Sequence, residues 1–379
     1  LDLTNPATAT PTYLADFARG FNFGVAQSTP EQQAAFGAAA FRWLGLLKRF
    51  PWIQQSNWPS PIPADAVVPL PEVIDQLPLQ PLLPLFHQIL YGGGFSRLNI
   101  PVVYALAALK PSLLYAFITP NVLFSINGGC IKMYDGMVSY LGAKNVILNA
   151  EVVEAERPTR YNNGRRSYAR LSYSVNQGSR CRYQEVRCKH VVVAFPQTLQ
   201  SIAFLQPDWK EQAAFRDFFY RQIYTMELNV TGPVANAPSG FTILNFDLNT
   251  FGNVAVAPSF AYIQRGLPYG PAQAPLISDT KLSPSQVMAT FRAQARSFPA
   301  ELLTINNVLA SDSHDQYFPS LPAASLTQTV NPFKRIMDLN NESYRGTSWV
   351  STNLCTPDTV GCWELSYNTV QKIVANINA

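Results

Sequence analysis

FSINGGCIKMYDGMVSYLGAKNVILNAEVVEAER, residues 124–157, and RCKHVVVAFPQTL, residues 187–199, carry most of what this sequence says about its fold. A Gly-Gly turn at Gly128 and Gly129 leads into a segment with Ile131, Met133, Met137, Val138 and Leu141 at helical spacing. Gly142 stands where that helix should stop, because glycine tolerates the positive φ common at a helix end. Asn145–Ala155 then reads as a strand. His190–Phe195 reads as a short strand, wholly apolar after its histidine and closed by Pro196. A continuous Val-rich run of this kind suits a strand buried on both faces, as in an α/β sheet.

Working outward, the flanking stretches are less regular. Glu31–Phe50 is a helix with Ala35, Phe36, Ala39, Leu44 and Leu47 to one side, ended by Pro51. Pro59–Pro84 permits only short helical turns, Pro71–Leu77 among them. Leu82–Tyr91 continues as a helix to Gly92-Gly93-Gly94. Ile100–Phe124 is the most apolar part, with Lys110 its one charge, but Pro101, Pro111 and Pro120 divide it. A spanning helix needs about 20 uninterrupted apolar residues. Buried helices are therefore expected here, and no transmembrane segment.

After Pro196 the pattern becomes α+β. A helix is expected over Trp209–Tyr220, strands over Tyr224–Val230, Phe241–Phe246, Val254–Ile263 and Leu302–Leu309, and a helix over Ser283–Arg296. A last helix runs over about Val360–Asn376. The expected organisation is residues 1–120 as a mainly helical part of a substrate domain and 121–200 as the middle of a dinucleotide-type domain. Residues 201–335 return to the substrate domain with an antiparallel sheet, and 336–379 to the dinucleotide-type domain.

Composition narrows the function classes. Of 379 residues, 47% are hydrophobic and 12% aromatic, so a large core is available. The charged fraction, 14%, lies well below the usual ~25%. A net charge of +4 without any Lys/Arg run gives nucleic-acid binding no support. The sequence contains no G-x-S-x-G elbow for a serine hydrolase and no Cys/His cluster for a structural zinc. Five cysteines leave two readings open: local disulfides Cys181–Cys188 and Cys355–Cys362 with Cys130 left over, or buried free thiols. Asn229-Val-Thr231 and Asn341-Glu-Ser343 would accept glycans in a secretory pathway, and secretion is the expectation. The chain opens on Leu1 rather than Met, so either a leader has been removed or an N-terminal part is absent.

The order of Gly-Gly turn, helix, strand ending Val-Val-x-Ala-Glu-Arg, β-excursion and Lys-His-Val-Val-Val-Ala-x-Pro resembles the middle of the flavin-containing amine oxidase superfamily. Within it, the likeness is to fungal FAD-dependent oxidoreductases of the β-cyclopiazonate dehydrogenase type. It is strongest over Ser125–Leu199 and Ser343–Val374. The resemblance implies a Rossmann-like FAD domain interleaved with an amine-oxidase-type substrate domain, and FAD as cofactor. Such a domain opens with G-x-G-x-x-G at a helix N-terminus, where backbone N–H groups hold the pyrophosphate. That motif is nowhere in this sequence. The first βαβ of the domain is therefore expected to be missing, lying ahead of Leu1 or on a separate chain.

The resemblance also assigns residues. Val152 matches a valine whose backbone contacts the adenine. Gly346 and Thr347 match a ribityl contact, though Thr347 replaces the acidic residue many relatives have. Trp349 would form an aromatic wall by the isoalloxazine. Asp358, Thr359 and Val360 would open a helix pointing at the flavin's pyrimidine end, where its positive pole stabilises the charge of reduction. Each also has a plain reading: strand valine, core tryptophan, helix cap.

Of three histidines, His190 reads as a sheet-edge residue and His87 as a core one. His314, ahead of Gln316-Tyr317-Phe318, could orient substrate or act as a base near neutral pH. The expected activity is hydride transfer from a hydrophobic amine or activated C–H to the flavin, with O2 reoxidation. The pocket is expected between the Pro51–Phe124 helices, the Tyr224–Ile263 sheet and Trp349. The alternative is a flavin-free relative that binds a hydrophobic ligand or a partner protein.

Overall fold

Thr29 begins the first long helix with a reciprocal cap. Its hydroxyl accepts from Gln32 N (3.3 Å) and the Gln32 side chain accepts from Thr29 N (2.9 Å). Pro30 at the first helical position fits the same start, and the backbone N–H of Phe50 closes the far end on Leu47 O. In chain order, strands β1 (Thr12–Asp16) and β2 (Phe21–Phe23) precede this helix, α1 (Pro30–Arg49). Next come α2 (Leu70–Gln76), α3 (Leu83–Gly92), α4 (Val102–Ala108), α5 (Pro111–Ile118) and α6 (Ile131–Leu141). Strands β3 (Ala150–Glu156), β4 (Ala169–Gln177), β5 (Arg180–Cys188) and β6 (Val191–Val193) lead to α7 (Trp209–Phe215). Then follow β7 (Phe219–Thr231), β8 (Phe241–Asn245), β9 (Ser259–Phe260), β10 (Tyr262–Arg265) and β11 (Ala272–Ser278). Last are α8 (Pro284–Ala295), β12 (Thr304–Ser320), α9 (Ala323–Leu326), α10 (Pro332–Asn341), β13 (Thr347–Trp349) and α11 (Thr359–Asn378).

This computed structural model describes residues 12–16, 21–23, 29–54, 58–92, 100–118, 131–157, 168–177, 180–236, 241–245, 259–260, 262–265, 270–295, 303–342, 346–350 and 359–378. The chain divides into two units. One gathers Leu1–Pro120 and Phe218–Asn331, and the other gathers Asn121–Asp217, Pro332–Cys355 and Thr359–Ala379.

The first unit holds an eight-stranded sheet, ordered β12-β7-β11-β10-β8-β1-β2 with β9 paired to β11. Its pairs are antiparallel except β1 with β8. One face carries Tyr224, Met226, Leu228 and Val230 from β7, packed with Val287 and Phe291 of α8. The same unit contains the helical part, where Trp43 stacks edge-on to Phe86 at 4.9 Å and donates Nε1–H to Leu109 O. The apolar stretch after Ile100 forms α4, buried from Val102 through Ala107, and α5. Among the described residues no helix is long and apolar enough to cross a membrane.

The second unit holds two small sheets, antiparallel β3-β4-β5 and the parallel pair β6-β13. Gly142 stops α6 at φ 81°, and its N–H bonds to Val138 O as expected of that glycine. Two expectations need correcting here, on the start of the strand and on the burial of the Val-rich one. The strand begins at Ala150 rather than Asn145, because Ala143–Asn145 forms a 3-10 turn in which Asn145 donates to Leu141 O. Val192 is 43% exposed, so the Val-rich strand is buried on one face only. No residue of α6 is buried; Ile131, Met137 and Leu141 are all open.

Elsewhere, Phe218, Phe219 and Tyr220 do not extend α7: the helix ends at Phe215 and β7 starts at Phe219. Cys181 and Cys188 are both free. They sit at opposite ends of β5, about 23 Å apart at ~3.3 Å per residue, whereas a disulfide needs Cα atoms within ~7 Å. Cys130 and Cys355 lie outside the described residues, and Cys362 stands in α11 with its side chain outside them.

Candidate functional site

Strict alternation along β7 gives the sheet an apolar face and an open one. Thr225 and Glu227 point to the open side, opposite Met226 and Leu228. Register then sets their neighbours: Thr225 lies between Asp312 and Pro275, and Glu227 between Ala310 and Gln273. With Tyr262 these residues line a groove of about 350 Å³. His314 pairs with Ile223, so it stands on this face two residues along β12 from Asp312. It is exposed, with its ring 6.4 Å from that of Tyr317. Burial pushes the phenol pKa values of Tyr262 and Tyr317 up, so both remain hydroxyl donors. The groove thus offers two carboxylates, an amide and hydroxyls beside an imidazole, over the buried pair Ile223 and Ile277.

Of the residues expected to border a flavin, Val152, Gly346, Thr347, Trp349, Thr359 and Val360 fall in the second unit. Gly346 opens β13 at φ 60°, a left-handed backbone that favours glycine, and its carbonyl accepts from Val191 N at 2.8 Å. Thr347, Ser348 and Trp349 follow, all buried. Ser348 Oγ is 2.9 Å from His190 Nε2. Burial holds the His190 ring below its ordinary pKa. Trp349 is 0% exposed and packs on Phe215 with ring centres 4.8 Å apart. The expected aromatic wall is therefore a core side chain, with no surface left for a ligand. Its indole N–H is buried without a partner among the described residues.

Asn340 fixes this strand. Its Oδ1 accepts from Trp349 N (2.7 Å) and its Nδ2 donates to Trp349 O (2.8 Å). Asn340→Ala leaves both backbone groups unsatisfied in a buried setting, an expected cost of about 2 kcal/mol. Urea unfolding checks it; an unchanged midpoint would mean that the clamp contributes nothing.

The remaining assignments scatter. Val152 is half-buried on β3, paired with Tyr173 beside a register shift before Glu154. That strand belongs to a different sheet from β13, so Val152 and Gly346 share no ladder. Asp358 lies outside the described residues. Thr359 and Val360 open α11, their side chains also outside. His87 is a core residue, 2% exposed, and burial takes its pKa down to about 3. No group of three or more His, Cys, Asp or Glu suited to a metal occurs among the described residues.

Sequence reading missed Glu227 and Asp312, whose proximity comes from non-local register. It also missed the ion pair of Arg157 with Glu211, although D-x-x-E at Asp208–Glu211 is a capping signal visible in the sequence.

No protein-family model matches the chain. It is 26% identical over 324 residues to the uncharacterized protein R656 of Acanthamoeba polyphaga mimivirus, covering 84% of this chain and 65% of that protein. It is 27% identical over 252 residues to the FAD-dependent oxidoreductase dpchF of Colletotrichum higginsianum, covering 65% and 48%. The chain thus spans less than two thirds of the length of either curated relative. Among solved structures, a CLA-producing fatty acid isomerase from P. acnes superposes with a TM-score of 0.69, over 96% of this chain and 79% of that one. A redesigned putrescine oxidase superposes with a TM-score of 0.58, over 97% and 81%. Identity is 12% in both, so the likeness is one of fold.

Proposed function

We propose, from the premise that this chain has the fold of the flavin amine oxidase type, that it serves an FAD-dependent oxidoreductase activity on a hydrophobic small molecule. The observation that carries the reading is the match over 65% of the chain to a protein named as an FAD-dependent oxidoreductase.

One feature fits a flavin: Gly346, left-handed, is the kind of backbone a cofactor can approach without meeting a Cβ. The pyrophosphate motif is not in the sequence. FAD, when bound, would supply the two-electron redox chemistry for oxidising an amine or activated C–H, with O2 as the final oxidant.

This chain's own residues would bind and orient. In the groove of the first unit, Glu227 and Asp312 suit a cationic or hydrogen-donating group on the substrate, and Tyr262 supplies an aromatic surface. His314 stands on the rim of the same face, where its imidazole can hydrogen-bond a substrate.

The test is flavin content. The full-length polypeptide, purified natively and then denatured, should release about one FAD per chain, measured by fluorescence. A chain that is folded by circular dichroism yet releases none, even after incubation with FAD, overturns the reading in favour of a flavin-free binding protein.

A further inference from the structure

We propose that a second cavity of the first unit binds a small apolar carboxylate, held by Arg221. This cavity, about 290 Å³, has none of its lining residues in common with the groove above. Ile100, Pro101, Leu321 and Pro322 make most of its wall apolar, and Arg221 and Ser320 bring the polar atoms. Its size is near the lower end for small-molecule sites, about 300 Å³. The inference does not depend on the redox reading.

Three observations place an anion here. First, the Arg221 side chain is only 11% exposed, so a full positive charge sits in a mostly apolar enclosure. Burial draws its guanidinium below the ordinary value, with Asp279 and Tyr104 acting the other way. Second, the cation is held in place: it lies over the Phe219 ring at 5.1 Å, with Nη1 3.5 Å from Ser320 Oγ. Asp279 reaches Nε at 3.7 Å with a carboxylate that is half in solvent. Third, the opposite wall is rigid. Tyr104 donates to Leu321 O (3.3 Å) and accepts from Leu321 N (2.6 Å). Burial raises that phenol's pKa.

A guanidinium at one side of an apolar cleft matches a ligand with an apolar body and a carboxylate end. The planar fork can take a carboxylate with two hydrogen bonds, Ser320 Oγ lying alongside. An amine or a neutral alcohol of the same shape would fill the apolar part but bring no carboxylate to the guanidinium's fork.

Calorimetry with octanoate and octan-1-ol on the whole chain decides the matter. Octanoate is expected to bind at least about tenfold more tightly than the alcohol. Arg221→Gln should remove that preference and leave alcohol affinity unchanged. Asp279→Asn should tighten octanoate binding by withdrawing the competing anion. Ala323→Trp, a change at an exposed lining position, should weaken both ligands, and keeps the question open to test should Arg221→Gln fail to fold. Equal affinities in the unmodified protein, a preference that survives Arg221→Gln, or octanoate binding indifferent to Ala323→Trp would each overturn the proposal.

Discussion

Glu211→Ala is expected to cost about 3–5 kcal/mol of unfolding free energy, the range for breaking a buried ion pair from one side. Glu211 is fully buried and Arg157 nearly so, with side-chain exposures of 0% and 14%. The pair is bidentate, at 2.6 Å and 2.9 Å, and Arg157 also donates to Gln206 O. Glu211 has a further duty: its Oε2 accepts from Asp208 N, and Asp208 Oδ1 accepts from the N–H groups of Lys210 and Glu211. The substitution therefore strands a buried guanidinium and opens the N-terminus of α7 together. Urea unfolding of the single variant and of Arg157→Met/Glu211→Leu separates the two causes. The double variant should recover most of the loss, because it leaves no charge unpaired. A single-variant loss below about 1 kcal/mol would show that the pair contributes no more than a surface one.

A stability that falls on mild acidification, well above the carboxylate range, is the second large expectation. His87 lies on α3 at 2% exposure, and its folded pKa is about 3 against an ordinary 6.5. With the folded value depressed, the unfolded chain binds the extra proton. The contribution is therefore whole above pH 6.5 and declines as pH falls toward 3. Each pH unit within that window removes up to about 1.4 kcal/mol, so moving from pH 6.5 to 5 costs roughly 2 kcal/mol from this one group. His87→Leu should flatten that slope while changing stability at pH 7.5 far less. Parallel pH profiles for the two proteins would sink the assignment.

How much of this was legible beforehand follows from the range of the interactions. Elements set by local chemistry came through: the span of α1, α6 with Gly142 at its end, and the exposed-buried alternation of β7; the buried side of α1, however, is Ala39, Ala40, Trp43, Leu46 and Leu47, with Ala35 exposed. Strand β11 did not: Pro271 and Pro275 interrupt the β pattern of that stretch. Yet Pro275 sits inside the sheet opposite Thr225, with β7 along one side of the strand and β10 (at Gln273) and β9 (at Leu276) along the other. Strand β12 was anticipated over Leu302–Leu309 and runs from Thr304 to Ser320. Most of its side chains face water, so hydrophobic periodicity had little to report.

The site divides in the same way. The residue classes around Gly346 and His314 could be singled out one at a time. That Asp312 and Glu227 share a groove with Tyr262 depends on the register among β7, β10, β11 and β12, which no single stretch encodes. Trp349 illustrates the converse: an aromatic residue in a suggestive context whose packing against Phe215 makes it core.

The pairing of β6 with β13 bears on how the polypeptide is made. His190 and Ser348 are partners 158 positions apart, and Val191–Val193 hydrogen-bonds to no described strand other than the one beginning at Thr347. At about 5–20 residues per second of synthesis, the later strand leaves the ribosome on the order of ten seconds after the earlier one. During that interval the valine strand is a bare edge in a nascent chain, with Phe195 close behind it, the kind of segment that holdase chaperones protect.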